Sequence, residues 1–224
     1  MTQLPFTFNH RPALDGEDFL VASSNAEAVK WVEQWPNWTS VALVIVGPKH
    51  SGKTHLSNVF LAQSGAGILS LDQLRSAGAD QAIRNQKALV IEDIEAFLQE
   101  GLEEELFHLY NLAAEFGVKI LITALSPPPR WGVKLKDLSS RMNTSLVAEI
   151  KSPDDTLLSA LIVKQFSDRQ LTVNPDVLVY MVSRMDRSFA GVGRLIAAID
   201  RDALAEKRKI TVPLVRSVLE KMKA

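Results

Sequence analysis

The hydrophobic positions of this chain follow two patterns, and the change between them falls near residue 153. Before it, short continuous apolar runs alternate with stretches of helical periodicity. Val41-Ala42-Leu43-Val44-Ile45-Val46, Ala88-Leu89-Val90-Ile91 and Val118-Lys119-Ile120-Leu121-Ile122-Thr123 have strand length and are rich in β-branched residues. Gly67-Ile68-Leu69-Ser70-Leu71 predicts a shorter strand, and another falls near 145–150. Helical spacing fills the intervals. Asn25 is placed to cap a helix through about Gln34, with Ala28, Val29 and Val32 on its buried side, and Pro36 and Asn37 break it. Leu56, Val59, Phe60 and Leu61 recur at helical spacing, and Asp72 is placed to cap a short helix. Leu106, Leu109, Tyr110 and Ala113 mark a helix over 103–116 that Gly117 stops.

Runs apolar at every position are strands buried on both faces, so this alternation predicts a parallel α/β sheet covered by helices on both sides. After Pro153 only helical periodicity remains, over 154–167, 175–185, 188–206 and 212–222. The expected organisation is an irregular arm over 1–20, an α/β subdomain over 21–152 and a helical lid subdomain over 153–224.

The sharpest chemical signal follows the first long strand. Gly47-Pro48-Lys49-His50-Ser51-Gly52-Lys53-Thr54 reads G-x-x-x-x-G-K-[ST], the phosphate-binding P-loop, and it lies between a strand and a helix as that loop requires. Gly47 and Gly52 let the backbone curl so that successive N–H groups point at a polyphosphate. Lys53 brings a point charge to the terminal phosphates, and Thr54 brings a hydroxyl for Mg²⁺. The helix that begins there aims its positive end at the same anion. Such a site needs acids at the end of a neighbouring strand, and Glu92 and Asp93 follow Ile91. One can hold the Mg²⁺ shell, the role given to Glu92, and the other, Asp93, can orient water. Thr123 to Ser126 closes the fourth strand, where a γ-phosphate sensor would sit, although only Thr123 and Ser126 are polar there.

Composition narrows the class. Across 224 residues the net charge is −1, so no global field draws the chain to nucleic acid or membrane. There is no cysteine, which excludes disulfides and cysteine-based nucleophiles or metal sites. Neither a signal pattern nor an apolar run of membrane-spanning length is present, so a cytoplasmic location is expected.

Several stretches resemble the AAA+ module of the bacterial replication initiator DnaA. They are Phe19-Leu20-Val21-Ala22-Ser23-Ser24-Asn25, Gly52-Lys53-Thr54-His55-Leu56, Val90-Ile91-Glu92-Asp93-Ile94-Glu95, Glu105-Leu106-Phe107-His108-Leu109-Tyr110-Asn111 and Leu138-Ser139-Ser140-Arg141. The resemblance covers nearly the whole chain, but the sequence ends at Ala224, where the initiator continues into a DNA-reading helix-turn-helix domain. It implies a short DnaA-like regulator that binds ADP or ATP with Mg²⁺. Phe19 and Val21 would wall the adenine, with His55 beside the phosphate-binding residues. Arg141 would be a finger reaching a neighbouring protomer's nucleotide, a role worth roughly 10³–10⁵ in rate. Gln3-Leu4-Pro5-Phe6-Thr7-Phe8 resembles the short peptide that docks on the DNA polymerase sliding clamp. Leu4, Phe6 and Phe8 on alternate positions suit a partner's groove, with Gln3 making directional hydrogen bonds. The alternative for that segment is a first strand or arm packed on the domain's own core, and read without the resemblance Arg141 is a surface arginine in a loop.

The implied partners are therefore the sliding clamp and DnaA, with homo-oligomers possible, DNA met mainly through the clamp, and no membrane. Departures from the family pattern cluster in the hydrolytic apparatus. The acids run Glu92-Asp93, Leu125 stands where a polar sensor is expected, and Gly193 takes the place of the second sensor arginine, with Arg194 one residue on. A one-residue slip on a helix turns a side chain by about 100°. These departures imply tight nucleotide binding with slow intrinsic hydrolysis. Two other readings stay open: a self-sufficient AAA+ ATPase such as a helicase loader, and a scaffold that uses nucleotide only as structure.

Overall fold

The computed structural model describes residues 21–206 and 209–223. They form two compact units, with the division in the chain between Ile150 and Lys151 and the P-loop residues Pro48–Gly52 grouped with the second.

The first unit is built on a five-stranded sheet. In chain order its elements are α1 (Ala26–Glu33), β1 (Ala42–Val46), α2 (Lys53–Ser64), β2 (Gly67–Ile68), α3 (Leu71–Ile83), β3 (Ala88–Ile91), α4 (Ile94–Gln99), α5 (Glu103–Phe116), β4 (Lys119–Ala124), α6 (Lys136–Asn143) and β5 (Leu146–Glu149), with a 3₁₀ turn at Pro128–Arg130. The strands lie in the order β2-β3-β4-β1-β5, and every pair is parallel. Helices cover both faces, as the continuous apolar runs required. Val44, Val46, Leu89, Ile91, Ile120 and Ile122 belong to a core shared with α3, α5 and α6. Their neighbours Leu43, Ile45, Val90 and Leu121 belong to a second core with α1 and α2. Successive strand residues thus alternate between two buried cores. In the second core Trp38 stacks on Phe60 with ring centroids 5.4 Å apart, and Trp35 meets Phe60 edge-on at 6.0 Å.

Several local expectations need correcting. Asn25 stands at the N-cap position of α1, but its Oδ1 accepts from the Ala22 N–H at 2.8 Å rather than from the first helical turn. Ser70, not Asp72, caps α3: its hydroxyl accepts from the Gln73 N–H while the Gln73 side chain accepts from the Ser70 N–H, a reciprocal capping box. That helix is longer than expected and is interrupted at Gly78, whose φ of 74° only glycine adopts without strain. β2 keeps two of the five residues assigned to it.

The second unit is helical: α7 (Asp155–Asp168), α8 (Pro175–Val182), α9 (Phe189–Glu206) and α10 (Val212–Lys223). The Asp154 carboxylate accepts from the Leu157 N–H at 2.8 Å and caps α7. Leu158, Ile162, Met181, Ile196, Ile199 and Val215 are fully buried in this unit. Among the described residues no helix is long and apolar enough to cross a membrane.

Candidate functional site

The sheet order brings the chemistry together. β4 lies between β3, which ends at the acids, and β1, which runs into the P-loop. Ile45 pairs with Thr123 and Val46 with Ala124, and the Gly47 N–H still donates to the Ala124 carbonyl at 3.1 Å. The ladder therefore delivers the P-loop at the carboxyl end of the central strands, where open α/β sheets place their ligands.

The loop has the conformation its glycines allow. Gly52 has φ 98° and His50 φ 62°. α2 then begins at Lys53, so the first-turn N–H groups and the positive end of a helix of 12 residues open at the loop. Lys53 is 7% exposed, and its Nζ donates to the Gly47 carbonyl at 2.8 Å. Burial pushes its ammonium below the ordinary lysine range, and the carboxylates of Asp93, Glu95 and Glu92, in that order, oppose the shift. Thr54 is exposed, Ser51 is buried, and no hydrogen-bond partner reaches the Ser51 Oγ among the described residues. His55, half-buried on α2, is likewise pushed below the ordinary imidazole value by burial.

This geometry fits a polyphosphate: a buried cation, an N-terminal helical turn and a curled backbone converge on one locus. It fits a magnesium ion of the kind held mainly by phosphate oxygens and water, with Thr54 and one carboxylate as protein ligands. Among the described residues no group of three His, Asp or Glu could hold a metal by itself. One oxygen of Glu92, Oε1, is buried and lacks a hydrogen-bond partner among those residues.

The acids are held by a device that spacing did not reveal. Asp93 sits in the left-handed region at φ 51°, ψ 61°, where Asp and Asn are the best tolerated residues after glycine. Its N–H donates at 2.9 Å to the hydroxyl of Thr123, which is 1% exposed. The side chain on β4 that answers to the acid loop is thus Thr123. Leu125 is 44% exposed, and only its backbone takes part. That N–H donates at 2.6 Å to Oε1 of Glu95, and the Ser126 N–H approaches the same oxygen at 3.4 Å. Glu95 was missed because its position, three residues past Glu92, reads as the exposed start of a helix. The turn at Asp93 aims it across at the end of β4.

The remaining candidates are dispersed. Val21 is half-buried against the core of α1 and α2. Phe19 and the peptide Gln3, Leu4, Phe6 and Phe8 lie outside the described residues. Arg141 lies on α6 rather than in a loop; it is exposed, and no carboxylate pairs with it among the described residues. Arg194, in the helical unit, is paired with Asp186 at 2.7 Å, so its guanidinium is engaged there. Gly193 beside it has open space where a side chain would begin.

A P-loop strand and an acid-bearing strand flanking one central strand in a parallel sheet, followed by a separate helical unit, define the AAA+ fold. The comparisons refine this. Residues 154–219 match the family model described as Hda, lid domain. A protein of Haemophilus influenzae is 26% identical over 184 residues, covering 78% of this chain and 80% of its own. The chromosomal replication initiator protein DnaA of Cutibacterium acnes is 25% identical over 93% of this chain, which spans only 46% of the initiator's length. In three dimensions, domain III of Thermotoga maritima DnaA superposes with a TM-score of 0.76 at 19% identity, covering 91% of this chain and 94% of that one. AMPPCP-bound DnaA from Aquifex aeolicus gives 0.70 at 21% identity, covering 85% and 66%. The chain has the AAA+ fold of DnaA domain III, and its second unit carries the match to the Hda lid domain.

Proposed function

We propose that the chain is a regulator of replication initiation that holds an adenine nucleotide with Mg²⁺, docks on the sliding clamp, and promotes hydrolysis of ATP bound to DnaA. The observation that carries this reading is the separation of two functions within one unit. Lys53, the start of α2 and the acids at the end of β3 converge on one locus, while Arg141 stands exposed on α6 with no carboxylate paired to it among the described residues. An unpaired guanidinium at a surface is available to a neighbour's phosphates, and its planar fork suits spreading charge in a transition state. The Hda-type lid and a DnaA relative in complex with AMPPCP support the same assignment. Clamp docking rests on Gln3, Leu4, Phe6 and Phe8 in the N-terminal segment, a short peptide contact for which micromolar affinity is expected.

Within the site, Lys53 and Thr54 would hold the phosphates, Glu92 would complete the Mg²⁺ shell, and Asp93 would orient water. Magnesium supplies charge compensation when bound. Phe19 and Val21 are assigned to the base and His55 to the phosphate side. Arg194 contributes to the nucleotide only after leaving Asp186.

One observation favours a second reading, a self-sufficient ATPase. The Thr123 hydroxyl on the Asp93 backbone and the carboxylates facing Lys53 make the hydrolytic side more ordered than the Leu125 position implied. Turnover separates the two. We expect slow hydrolysis by the chain alone, and loss of DnaA-bound ATP when DnaA, clamp and DNA are added. Arg141→Ala should keep ADP and clamp binding and lose that stimulation, and Arg141→Lys should recover little of it. Turnover near 10 per second from the chain alone, a rate typical of enzymes, would select the second reading. Wild-type stimulation by Arg141→Ala would rule out the finger.

A further inference from the structure

The lid sequence, 151–224, carries 13 Lys and Arg against 9 Asp and Glu, so it is the basic part of a chain whose net charge is −1. Most of its described arginines are neutralised locally. Arg169 pairs with Asp200, Arg187 with Asp155, Arg194 with Asp186 and Arg201 with Asp202. Arg184 and Arg216 are the two described lid arginines that no carboxylate pairs with, and they meet at one ring. The Arg184 guanidinium carbon lies 4.2 Å from the centroid of Tyr180, and that of Arg216 lies 5.9 Å from the same centroid. The two charges are therefore no more than about 10 Å apart, the sum of those distances. Arg216 Nε donates to the Tyr180 hydroxyl oxygen at 3.2 Å, which leaves the phenol proton free to be donated outward. Together with Leu219 and Glu220 these side chains line a pocket of about 400 Å³.

We propose that the pocket formed by Tyr180, Arg184 and Arg216 is a binding site for the phosphodiester backbone of a nucleic acid. Two guanidinium groups gathered at one ring repel each other. Glu220 at the pocket offsets only one of the two charges and forms no ion pair with either among the described residues, and an anion received between them relieves the rest. Arg184 Nη1 donates to the Ser183 hydroxyl at 3.0 Å. Arg184 Nη2, the Arg216 Nη groups and the phenol O–H remain to present several donors to one tetrahedral anion, where guanidinium forks match phosphate oxygens. The ring and the guanidinium planes add stacking surfaces of the kind that carry single-stranded bases. A site built this way reads charge and shape, not sequence. It lies wholly within the lid and does not depend on nucleotide at the P-loop.

Counterion release provides the test. The full-length chain is titrated with a fluorescent oligonucleotide, single-stranded in one arm and duplex in the other, across a salt series. Each phosphate contact contributes about 0.7 to the slope of log K against log[salt] for single strands and about 0.9 for duplex. The double variant Arg184→Gln/Arg216→Gln removes the pocket's one phosphate contact and should lower the slope by about 0.7 in the first arm or about 0.9 in the second. Arg184→Lys/Arg216→Lys keeps the charges and should keep the slope while weakening binding at every salt concentration. Tyr180→Phe should weaken binding of the single strand. Unchanged melting temperature and ADP response exclude misfolding as the cause. A slope unchanged by the Gln pair overturns the proposal. So does displacement of the oligonucleotide by an acidic peptide at equal charge concentration, which assigns the pocket to a protein partner instead.

Discussion

Replacing Thr123 with valine is the sharpest single test of how the acid loop is held. The two side chains have nearly the same shape, so the change removes one hydroxyl from a position 1% exposed and leaves β4 otherwise intact. What it breaks is the 2.9 Å hydrogen bond from the Asp93 N–H. An N–H left unpaired in a buried setting costs about 1–3 kcal/mol. Asp93 is exposed, so water can partly replace the lost acceptor, and the lower end, about 1 kcal/mol, is expected. For a protein of this size that lowers the melting temperature by about 2–4 °C. Thr123→Ser keeps the oxygen but opens a methyl-sized void next to β1, a loss of about 1 kcal/mol by a different route. Nucleotide-stimulated stability separates the two routes. Serine keeps Asp93 in its left-handed position and should keep the wild-type increment in melting temperature with Mg²⁺ and ATP. Valine should reduce it. Scanning calorimetry of wild type and both variants, with and without Mg²⁺-ATP, checks this. A valine variant that melts with the wild type and keeps the full increment would show that Thr123 only packs, and that the acid loop is set by the turn alone.

Gly191 and Gly193, two residues apart on α9, should respond oppositely to alanine. A Cβ on Gly191 would stand 2.3 Å from the Asp186 carbonyl oxygen, so Gly191→Ala should destabilise the lid by about 1–3 kcal/mol or more, whereas Gly193 has open space and Gly193→Ala should stabilise it by about 0.5–1 kcal/mol, both read from urea midpoints. Phe60→Ala empties the seat between Trp35 and Trp38 and should cost about 3–5 kcal/mol; a loss under 1 kcal/mol in chemical denaturation would contradict the packing described. His55 is held below its ordinary pKa by burial, so the unfolded chain binds the proton more readily. The stability tied to neutral His55 is therefore complete above about pH 6.5 and lost as pH falls through the lower folded value. Denaturation midpoints at pH 7.5 and 5.5 should differ more for wild type than for His55→Gln; equal differences would remove His55 from the acid response.

The fold was legible wherever burial dictates sequence. β1 and β3 are apolar at every position, and β4 at all but Lys119 and Thr123, because helices cover both sheet faces, and their residues alternate between the two cores. The helix Glu103–Phe116 was read to the residue because its apolar stripe ends at a glycine, Gly117, that takes φ 70°. Short elements that depend on tertiary contacts were not legible. α4 and α6 carry few core residues, and α6 begins where the Glu103 carboxylate accepts the N–H groups of Lys134 and Leu135, a contact 31 to 32 residues away in sequence. No local pattern encodes such an acceptor. The same division holds at the site. Lys53, Thr54, Glu92 and Asp93 announce themselves by spacing, since a P-loop and a strand-end acid are local motifs. Thr123 and Glu95 act through backbone groups about 30 residues away, and only the sheet order brings them there.

The position of β4 explains why these two residues carry more of the site than their sequence context implies. In the order β2-β3-β4-β1-β5, β4 is the only strand that touches both the acid strand and the P-loop strand. Any displacement of its carboxyl end moves one relative to the other. Thr123 fastens that end to the Asp93 backbone, Glu95 fastens the next two N–H groups to α4, and the Gly47 N–H fastens it to the P-loop through the Ala124 carbonyl. Three different groups on four consecutive residues thus fix the separation between Lys53 and its carboxylates. That separation sets the electrostatics. Buried Lys53 is less basic than an exposed lysine, and Asp93, Glu95 and Glu92 restrain the shift. A phosphate entering the loop adds negative charge to the same locus, so it raises the lysine's proton affinity and repels the carboxylates at once. The cost of that repulsion falls where a divalent cation reduces it, between the acids and the phosphate. Nucleotide affinity should therefore depend more steeply on Mg²⁺ in wild type than in Glu95→Gln, which keeps an acceptor for Leu125 and removes one charge. Equal Mg²⁺ dependence of the two, measured by ADP titration at several Mg²⁺ concentrations, would mean that Glu95 supports β4 but does not take part in the charge balance at Lys53.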